Sequence, residues 1–330
     1  MSGCKFLLMA DHHVVDVADE RDSMSYPMWR AGDHAALAET YRFISTDPFC
    51  RDIDFALFLG DQLNSGYMNT PTLREAELAT YRRTLESLDL YRRTVGKDIS
   101  DLGFRAPSSF RCLGDLPAGY AQKPIPFKAL DSRVIAIQGN HDTAVADFFR
   151  ECSFRCGDAR FVTFFAEYIG LPAPSGEFRS TAAISDEAIA FVEREMAAAA
   201  ADPTIRHIVL ASHWGIVLGD PRFRWSIFGA CAENGFNGNR ERLLALAERY
   251  GCDLYLHGHE HAAGYHVGRA GTMSVVNCAT VTAQNGQESF AVVELLPELA
   301  RFHVYSRADA GVAPRKLYLR EVPLRPATAS

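Results

Sequence analysis

Five short apolar runs, each followed closely by a cluster of polar residues, constrain the fold of this chain more than any other feature. The runs are residues 6–10, 55–59, 134–137, 208–211 and 254–256. Continuous apolar runs of this length are typical of strands that are buried on both faces. In open α/β sheets the functional side chains lie just beyond the carboxyl ends of such strands. We therefore predict an α/β fold whose functional site collects polar residues from several strand ends.

Helical patterns separate the apolar runs. Three segments are predicted as helices: 73–94, 185–201 and 239–250. Thr70 can cap the first and Pro71 suits its first turn, while the second begins Ser-Asp-Glu and the third ends at Gly251. After residue 261, the runs 272–277, 289–295 and 301–305 predict consecutive strands that form an antiparallel end of the sheet system.

Length and composition fit one large domain. The chain has 330 residues, of which 48% are hydrophobic and 23% charged, which allows a sizeable buried core. We predict a single domain over residues 1–322, with insertions near 63–130 and 214–239, and a flexible tail over 323–330.

Charge and hydropathy exclude several classes of partner. A net charge of -7 gives no general attraction to nucleic acid or to anionic membranes. No apolar run reaches the roughly 20 residues that a spanning helix needs. The first apolar stretch stops at Asp11 and is interpreted as a strand, not a signal peptide. We therefore expect a cytoplasmic protein with a small-molecule substrate; the sequence does not indicate its oligomeric state.

The cysteines are interpreted as reduced thiols. Eight are scattered along the chain, without the density of a disulfide-rich domain. Cys152 and Cys156 form a C-x3-C pair without a second pair nearby. Ordinary thiols are the favoured interpretation of this pair, and a structural zinc site is the alternative.

The polar clusters after the apolar runs contain ligands for divalent cations. The candidate ligands are Asp11, His13, Asp61, Asn140, His213, His259 and His261. Alternate residues at a strand end can point the same way, so D-x-H and H-x-H can each aim two side chains at one place. Gly60 allows the backbone to come close to the ions, and the two carboxylate oxygens of Asp61 could bridge a pair of cations. Two close cations favour in-line hydrolysis of a phosphate ester.

Taken in order, the motifs D-x-H, G-D, G-N-H-[DE], H and G-H-x-H resemble the signature of calcineurin-like metallophosphoesterases over roughly residues 4–280. The resemblance implies an α/β/β/α four-layer sandwich of two mixed sheets, with a dinuclear metal site at the C-terminal strand ends. It implies that the first ion is held by Asp11, His13, Asp61 and His261. It implies that the second ion is held by Asp61, Asn140, His213 and His259, with Asp61 as the bridge.

The resemblance also implies a mechanism, in which a hydroxide bridging the two ions attacks the phosphorus. Oxygen and imidazole ligands suit Mn, Fe, Co, Ni or Zn. Asn64 stands where purple acid phosphatases carry a tyrosine, which argues against a tyrosinate-bound ferric ion. His141 is a candidate to hydrogen-bond the phosphate or protonate the leaving oxygen. Asp142 is a candidate to orient His141 or a ligand, or alternatively a turn residue.

Two histidines that flank ligands, His12 and His257, are expected to point away from the ions. Asn64, Arg222 and Arg224 are candidate substrate contacts. The alternative for the arginine segment is a hydrophobic lid, and for Asn64 a turn-forming residue.

Phosphodiester hydrolysis of a small substrate, such as a (cyclic) nucleotide, is the favoured function. The alternatives are a phosphomonoesterase or protein phosphatase, a nucleotide or lipid pyrophosphatase, and a non-catalytic interaction module on the same fold. The absence of an Arg shortly after Gly60-Asp61 weighs against a protein phosphatase, and the complete ligand set weighs against the non-catalytic module.

Overall fold

The fold is taken from a computed structural model that describes residues 3–15, 33–64, 71–97, 102–105, 132–142, 148–172, 178–216, 238–261, 265, 267–281, 287–309 and 311–324. The strands are β1 (Cys4–Met9), β2 (Phe55–Phe58), β3 (Val134–Ala136), β4 (Cys152–Cys156), β5 (Ala159–Thr163), β6 (Glu167–Pro172), β7 (Phe178–Ala183), β8 (His207–Ala211), β9 (Leu254–His257), β10 (Val267–Ala270), β11 (Met273–Asn277), β12 (Glu288–Leu295), β13 (Leu299–Ser306) and β14 (Lys316–Pro323). The helices are α1 (Asp33–Thr46), α2 (Pro71–Leu85), α3 (Asp89–Thr94), α4 (Asp186–Ala201) and α5 (Gly238–Arg249), with a short 3-10 turn at Asn140–Asp142.

The first six-stranded sheet has the order β14-β13-β12-β1-β2-β3. Strands β1, β2 and β3 are parallel to one another, whereas β12 is antiparallel to β1 and continues into the antiparallel pairs β12-β13 and β13-β14. The predicted antiparallel end is therefore present here. The first of its three predicted runs, however, is β11 and lies in the other sheet, parallel to β9.

The second six-stranded sheet has the order β10-β11-β9-β8-β5-β4. Its centre is parallel and its two edge strands, β4 and β10, are antiparallel to their neighbours. Strands β6 and β7 pair antiparallel in a separate two-stranded sheet. Both large sheets are thus mixed, as the resemblance implied.

Three buried clusters show that the molecule has four layers. Side chains of alternating residues in β1 face opposite sides: Phe6 packs between the sheets, stacked on Phe55 at 4.9 Å between ring centroids, whereas Leu7 packs toward α1 and α2. On the other side, Leu210 of β8 packs against α4 and α5. The predicted α/β/β/α sandwich is confirmed.

The sequence predicted two helices well. In α4, the Oγ of Ser185 accepts a hydrogen bond from the backbone N–H of Ala188 at 3.1 Å, a side-chain N-cap. Helix α5 is followed by Gly251, whose φ of 72° is the left-handed conformation that ends helices.

The prediction of one helix over 73–94 is wrong, because the chain breaks between α2 and α3. Leu88 is extended, with φ -91° and ψ 113°. The first N–H of α3, at Asp89, is satisfied from elsewhere in the fold, by the Oγ of Ser45 in α1 at 2.8 Å. This contact joins residues 44 positions apart, so a local pattern could not reveal it.

A disulfide corrects the expectation of reduced thiols. Cys4 at the start of β1 is bonded to Cys156 at the end of β4, with 5.6 Å between the Cα atoms. The bond joins the two large sheets. The C-x3-C cysteines are not partners, since Cys152 instead lies 3.1 Å from the hydroxyl of Thr163. In the described part of the chain, the cysteines outside this disulfide are Cys50, Cys152, Cys252 and Cys278, all buried.

None of the described helices combines the length and hydrophobicity needed to cross a membrane. Strand β14 ends at Pro323, at the predicted start of the tail. The predicted insertions lie largely outside the described residues, except for α2, α3 and a few flanking positions. The predicted domain boundaries therefore stay predictions.

Candidate metal centre

The fold brings all seven candidate ligands together beyond the carboxyl ends of β1, β2, β3, β8 and β9. Two overlapping groups of side chains each place one ligand atom per residue within 4.8 Å of the others. One group contains Asp11, His13, Asp61 and His261; the other contains Asp61, His213 and His259. Because Asp61 is common to both groups, it occupies a bridging position.

The first group converges on one point. The Nε2 atoms of His13 and His261 are 3.0 Å apart, and His261 Nε2 lies 3.1 Å from Asp11 Oδ1. His13 Nε2 lies 3.7 Å from Asp61 Oδ2. Two imidazole nitrogens facing each other between carboxylates form a donor set that fits a divalent cation.

The second group is centred on His213. Its Nε2 lies 2.9 Å from Asn140 Oδ1, 3.1 Å from His259 Nδ1 and 3.3 Å from Asp61 Oδ2. The other ring nitrogen of His213 donates to the carbonyl oxygen of Leu59 at 2.7 Å, which fixes the tautomer and leaves Nε2 for the ligand role. The amide oxygen of Asn140 thus joins this group as the resemblance implied.

Five of the seven candidate ligands have a left-handed backbone. Their φ values are 56° for Asp11, 47° for His13, 52° for Asp61, 70° for His259 and 45° for His261. They are the only non-glycine residues with positive φ in the described ranges, and such conformations concentrate at functional sites. The sequence predicted that the paired side chains of D-x-H and H-x-H reach one place, but the strand alternation given as the reason is wrong. The paired side chains reach one place because of the loop conformation, not because of strand geometry.

Two motif glycines are required by close approach. A Cβ on Gly60, whose φ is 92°, would lie 2.5 Å from His213 Nδ1. A Cβ on Gly139 would lie 2.2 Å from both the backbone nitrogen and Oδ1 of Asp61. Neither position has room for a side chain, because a Cβ would overlap His213 at Gly60 and Asp61 at Gly139.

Asp142 ties two ligand loops together. Its buried carboxylate accepts backbone N–H bonds from Gln62 at 3.1 Å, Leu63 at 2.9 Å and Gly139 at 2.9 Å. Burial, with the nearby charge of Asp61, raises the pKa of Asp142 to about 7. These contacts agree with orientation of a ligand loop, and they connect the segment after Asp61 to the turn that carries Asn140.

His141 lies against the first group, with its ring centroid 4.7 Å from that of His13. Its Nδ1 is 2.5 Å from the carbonyl oxygen of Asn64, and its backbone N–H donates to Asp61 Oδ1 at 2.8 Å. Its Nε2 is left 3.9 Å from Asp61 Oδ2. The side chain of Asn64 is 8% exposed. Arg222 and Arg224 lie outside the described residues.

The two flanking histidines pack away from the ligands, as expected. The ring of His12 lies 4.7 Å from that of Phe58 in the helix-facing layer, and burial lowers its pKa to about 3. His257 lies near Tyr255, on the face of the second sheet that packs on α4 and α5, and burial lowers its pKa to about 4.

The electrostatics of the cluster favour a positive charge between the ligands. Burial lowers the pKa of His13 and His259 well below the usual range, so both are neutral and able to bind a cation. Burial alone would lower the pKa of His213, but Asp61 outweighs it and raises the value to about 9. Burial would likewise raise the pKa of Asp61, but His213 and His141 hold it well below its usual range.

Sequence reasoning missed three contacts around the ligands. The carbonyl of Leu59 accepts from His213, and the hydroxyl of Thr280 donates to the carbonyl of Asp11 at 3.0 Å. The indole of Trp214 lies 4.0 Å from the ring of His259 between centroids. Of these, only Trp214, next to a ligand in the S-H-W motif, carried a signal in the sequence.

A four-layer sandwich that collects two overlapping oxygen and imidazole groups at its strand ends provides ligands suited to two divalent ions. The sequence profile of the calcineurin-like phosphoesterases matches residues 4–263. The chain belongs to this family of metal-dependent phosphoester hydrolases, whose members use two divalent ions.

Solved structures with a similar fold are distant in sequence. A purple acid phosphatase from yellow lupin (Lupinus luteus) seeds is 12% identical with a TM-score of 0.48, covering 92% of this chain and 52% of its own. PhoD is 12% identical with a TM-score of 0.49, and the match covers 100% of this chain and 73% of PhoD. Vps29 from Cryptosporidium parvum is 11% identical with a TM-score of 0.36, covering 97% and 98%. This chain thus spans about half the length of the lupin enzyme. No curated protein matched its sequence.

Proposed function

We propose that the protein hydrolyses small phosphodiesters, such as (cyclic) nucleotides, at a centre of two divalent ions. The proposed ligands are Asp11, His13, Asp61 and His261 for one ion, and Asp61, Asn140, His213 and His259 for the other. The observation that carries the proposal is the shared position of Asp61 between two convergent groups. When bound, two such ions activate water as a nucleophile and neutralise the charge of the phosphoryl oxygens.

The two oxygens of Asp61 have separate environments that suit a bridging ligand. Oδ1 accepts the backbone N–H of His141 at 2.8 Å, whereas Oδ2 lies 3.7 Å from His13 Nε2 and 3.3 Å from His213 Nε2. Since one histidine belongs to each group, Oδ2 faces both groups. The N–H of His141 holds the carboxylate in this orientation.

His141 is the proposed catalytic residue. With Nδ1 donating to the carbonyl of Asn64, the ring presents Nε2 toward the ligand groups. In the protonated ring both nitrogens carry hydrogen, and we assign to Nε2 of this form a hydrogen bond to a phosphoryl oxygen or the transfer of its proton to the leaving oxygen. Asp142 acts through the loops and is a positioning residue.

A phosphodiester suits the surroundings of the site better than a monoester. The described side chains around the ligands are imidazoles, carboxylates, an amide and an indole. A monoester dianion carries more charge than a diester and gains more from arginine or lysine. A phosphomonoesterase or protein phosphatase is the second candidate. Asn64, Arg222 and Arg224 are proposed as substrate contacts for either class of ester.

The cellular location is a separate proposal. The composition favours the cytoplasm, but the bond between Cys4 and Cys156 is of a kind that oxidising compartments maintain. The disulfide therefore weighs against the cytoplasmic location, which stays a prediction.

A substrate panel with added Mn²⁺ tests the activity. Bis(p-nitrophenyl) phosphate, p-nitrophenyl phosphate, cyclic nucleotides and nucleotide pyrophosphates are compared by kcat/KM, and the diesters are expected to rank highest. Asn140→Ala and His213→Ala should each abolish hydrolysis. His303→Ala is the matched control, because His303 bonds to Glu294 and belongs to neither group. Full activity in both ligand variants would refute the assignment, and a preference for monoesters would favour the second candidate.

A further inference from the structure

We propose that Trp214 is a positioning residue that holds the His259 ring in place and thereby strengthens divalent-ion binding by the second ligand group. The inference rests on the proposed function and adds a determinant to it. Trp214 is 2% exposed, and its ring centroid lies 4.0 Å from that of His259 at an interplanar angle of 48°. The same indole meets the His213 ring edge-on at 5.5 Å.

His259 needs such a support because its second ring nitrogen is not held. Metal-binding histidines usually donate their other N–H to a carbonyl or carboxylate, which fixes the ring. His213 follows this rule through the carbonyl of Leu59 at 2.7 Å. The ring of His259 has one hydrogen-bonding contact among the described residues, from Nδ1 to His213 Nε2 at 3.1 Å, and this lies on the ligand side.

The backbone of His259 is held in place, but this does not determine the orientation of its ring. The N–H of His259 donates to Asp11 Oδ2 at 3.0 Å, and its φ is 70°. Rotation about the side-chain torsions stays open unless something packs against the ring. The indole of Trp214 supplies that packing, because its ring centroid lies 4.0 Å from that of His259.

Trp214 is itself rigidly held. Its carbonyl accepts the hydroxyl of Tyr255 at 2.6 Å, and its side chain belongs to the buried cluster beneath α4 and α5. The support therefore runs from the second sheet through Tyr255 and Trp214 to His259. Loss of an outer hydrogen-bonding partner of a ligand typically weakens metal affinity roughly tenfold to a hundredfold, and we expect the lower end of that range for a packing contact.

Metal binding itself provides the test, independent of activity. Metal-free protein is titrated with Mn²⁺, with bound metal measured by equilibrium dialysis and tryptophan emission recorded in parallel. Wild type should bind two equivalents. Because the indole lies beside a ligand ring, the paramagnetic ion in the second group should quench the Trp214 emission.

Trp214→Leu should weaken one of the two sites roughly tenfold and leave the other unchanged. Trp214→Phe keeps an aromatic ring and should bind Mn²⁺ with most of the wild-type affinity. The emission that Mn²⁺ quenches in wild type should be missing from this variant. Tyr255→Phe, which removes only the hydroxyl that holds Trp214, should produce a smaller loss at the same site. Thermal unfolding of the metal-free variants checks that each is folded, and Tyr255→Phe carries the test if Trp214→Leu does not fold.

The outcomes separate the two proposals. Failure of wild type to bind Mn²⁺ would overturn the proposed function. Two normal sites in folded Trp214→Leu, or in Tyr255→Phe if only that variant folds, would overturn the role of Trp214 alone. Equal weakening of both sites would also overturn it, because the ligand rings beside the indole, His213 and His259, belong to the second group.

Discussion

The disulfide between Cys4 and Cys156 should be a major contributor to the stability of this protein. It connects the first strand of one sheet to an edge strand of the other, across a sequence separation of 152 residues. Both cysteines are buried, at 1% and 4% exposure. The perturbation is the double substitution Cys4→Ala with Cys156→Ala, compared with wild type before and after reduction by a dithiol.

The expected magnitude follows from the length of the closed loop. Constraining a loop of about 150 residues in the unfolded chain corresponds to about 5 kcal/mol of loop-closure entropy at 25 °C. Measured losses for native disulfides are commonly about 2–5 kcal/mol, and the length of this loop places the expected loss in the upper half of that range. The apolar cluster between the sheets keeps them together, so the variant should fold and lose stability.

Urea unfolding followed by circular dichroism gives the free energy of unfolding, and peptide mapping without reductant verifies the Cys4–Cys156 link. Cys152→Ala is the matched control, since Cys152 is buried in the same strand but not bonded to another cysteine. Reductant should destabilise wild type and the control by similar amounts and leave the double variant unchanged. Equal unfolding free energies of oxidised and reduced wild type would refute the reasoning.

Three further predictions concern the ligand loops and the second sheet. Asp142→Ala strips the acceptor from three backbone N–H groups, so calorimetry of Mn²⁺ binding should show weaker affinity by roughly tenfold or more; wild-type affinity would contradict this. Gly139→Ala places a Cβ 2.2 Å from Asp61 and should abolish metal binding by the same measurement, whereas normal binding would show that the loops shift freely. Glu195 is buried against Arg160 at 2.9 Å; burial opposes its ionisation, but Ser153 and Arg160 lower its pKa below 4.5. The ionised Glu195 therefore stabilises the fold above pH 4.5, and this stabilisation is lost as the pH falls through the folded pKa. The loss of stability caused by Glu195→Gln should accordingly become smaller in acid. A loss that does not change with pH would contradict the assignment.

The sequence predicted the strands that lead to the site because their burial is unambiguous. Strands such as β2 and β8 are buried along their whole length, so they appear as continuous apolar runs. Strands β4 and β10 lie at sheet edges and carry Arg155 and Arg269. Their polar residues hide them from a search for apolar runs, and β5, with Arg160, was missed for the same reason.

Two further differences involve contacts between residues that are distant in the sequence. The break between α2 and α3 depends on Ser45, and the disulfide depends on the facing sheets bringing Cys4 to Cys156. Neither pairing leaves a local pattern. The ligand set, by contrast, was recognisable from the order of its motifs, although the left-handed backbone that aims the ligands was not.

The two ligand groups differ in how they are organised before any ion binds. The loops that carry Asp11, His13 and Asp61 continue the pairing of β1 and β2 beyond the strands. The N–H of Asp11 donates to the carbonyl of Gly60 at 3.0 Å, and the N–H of His13 donates to the carbonyl of Asp61 at 2.8 Å. These backbone bonds offset the strain of the left-handed conformations, which is of order 1–3 kcal/mol per residue. In the second group the ligand rings are held by the backbone carbonyl of Leu59 on His213 and by the side chain of Trp214 on His259. Substitution of Trp214 should therefore perturb the second group selectively, because its side chain packs on a ligand ring of that group.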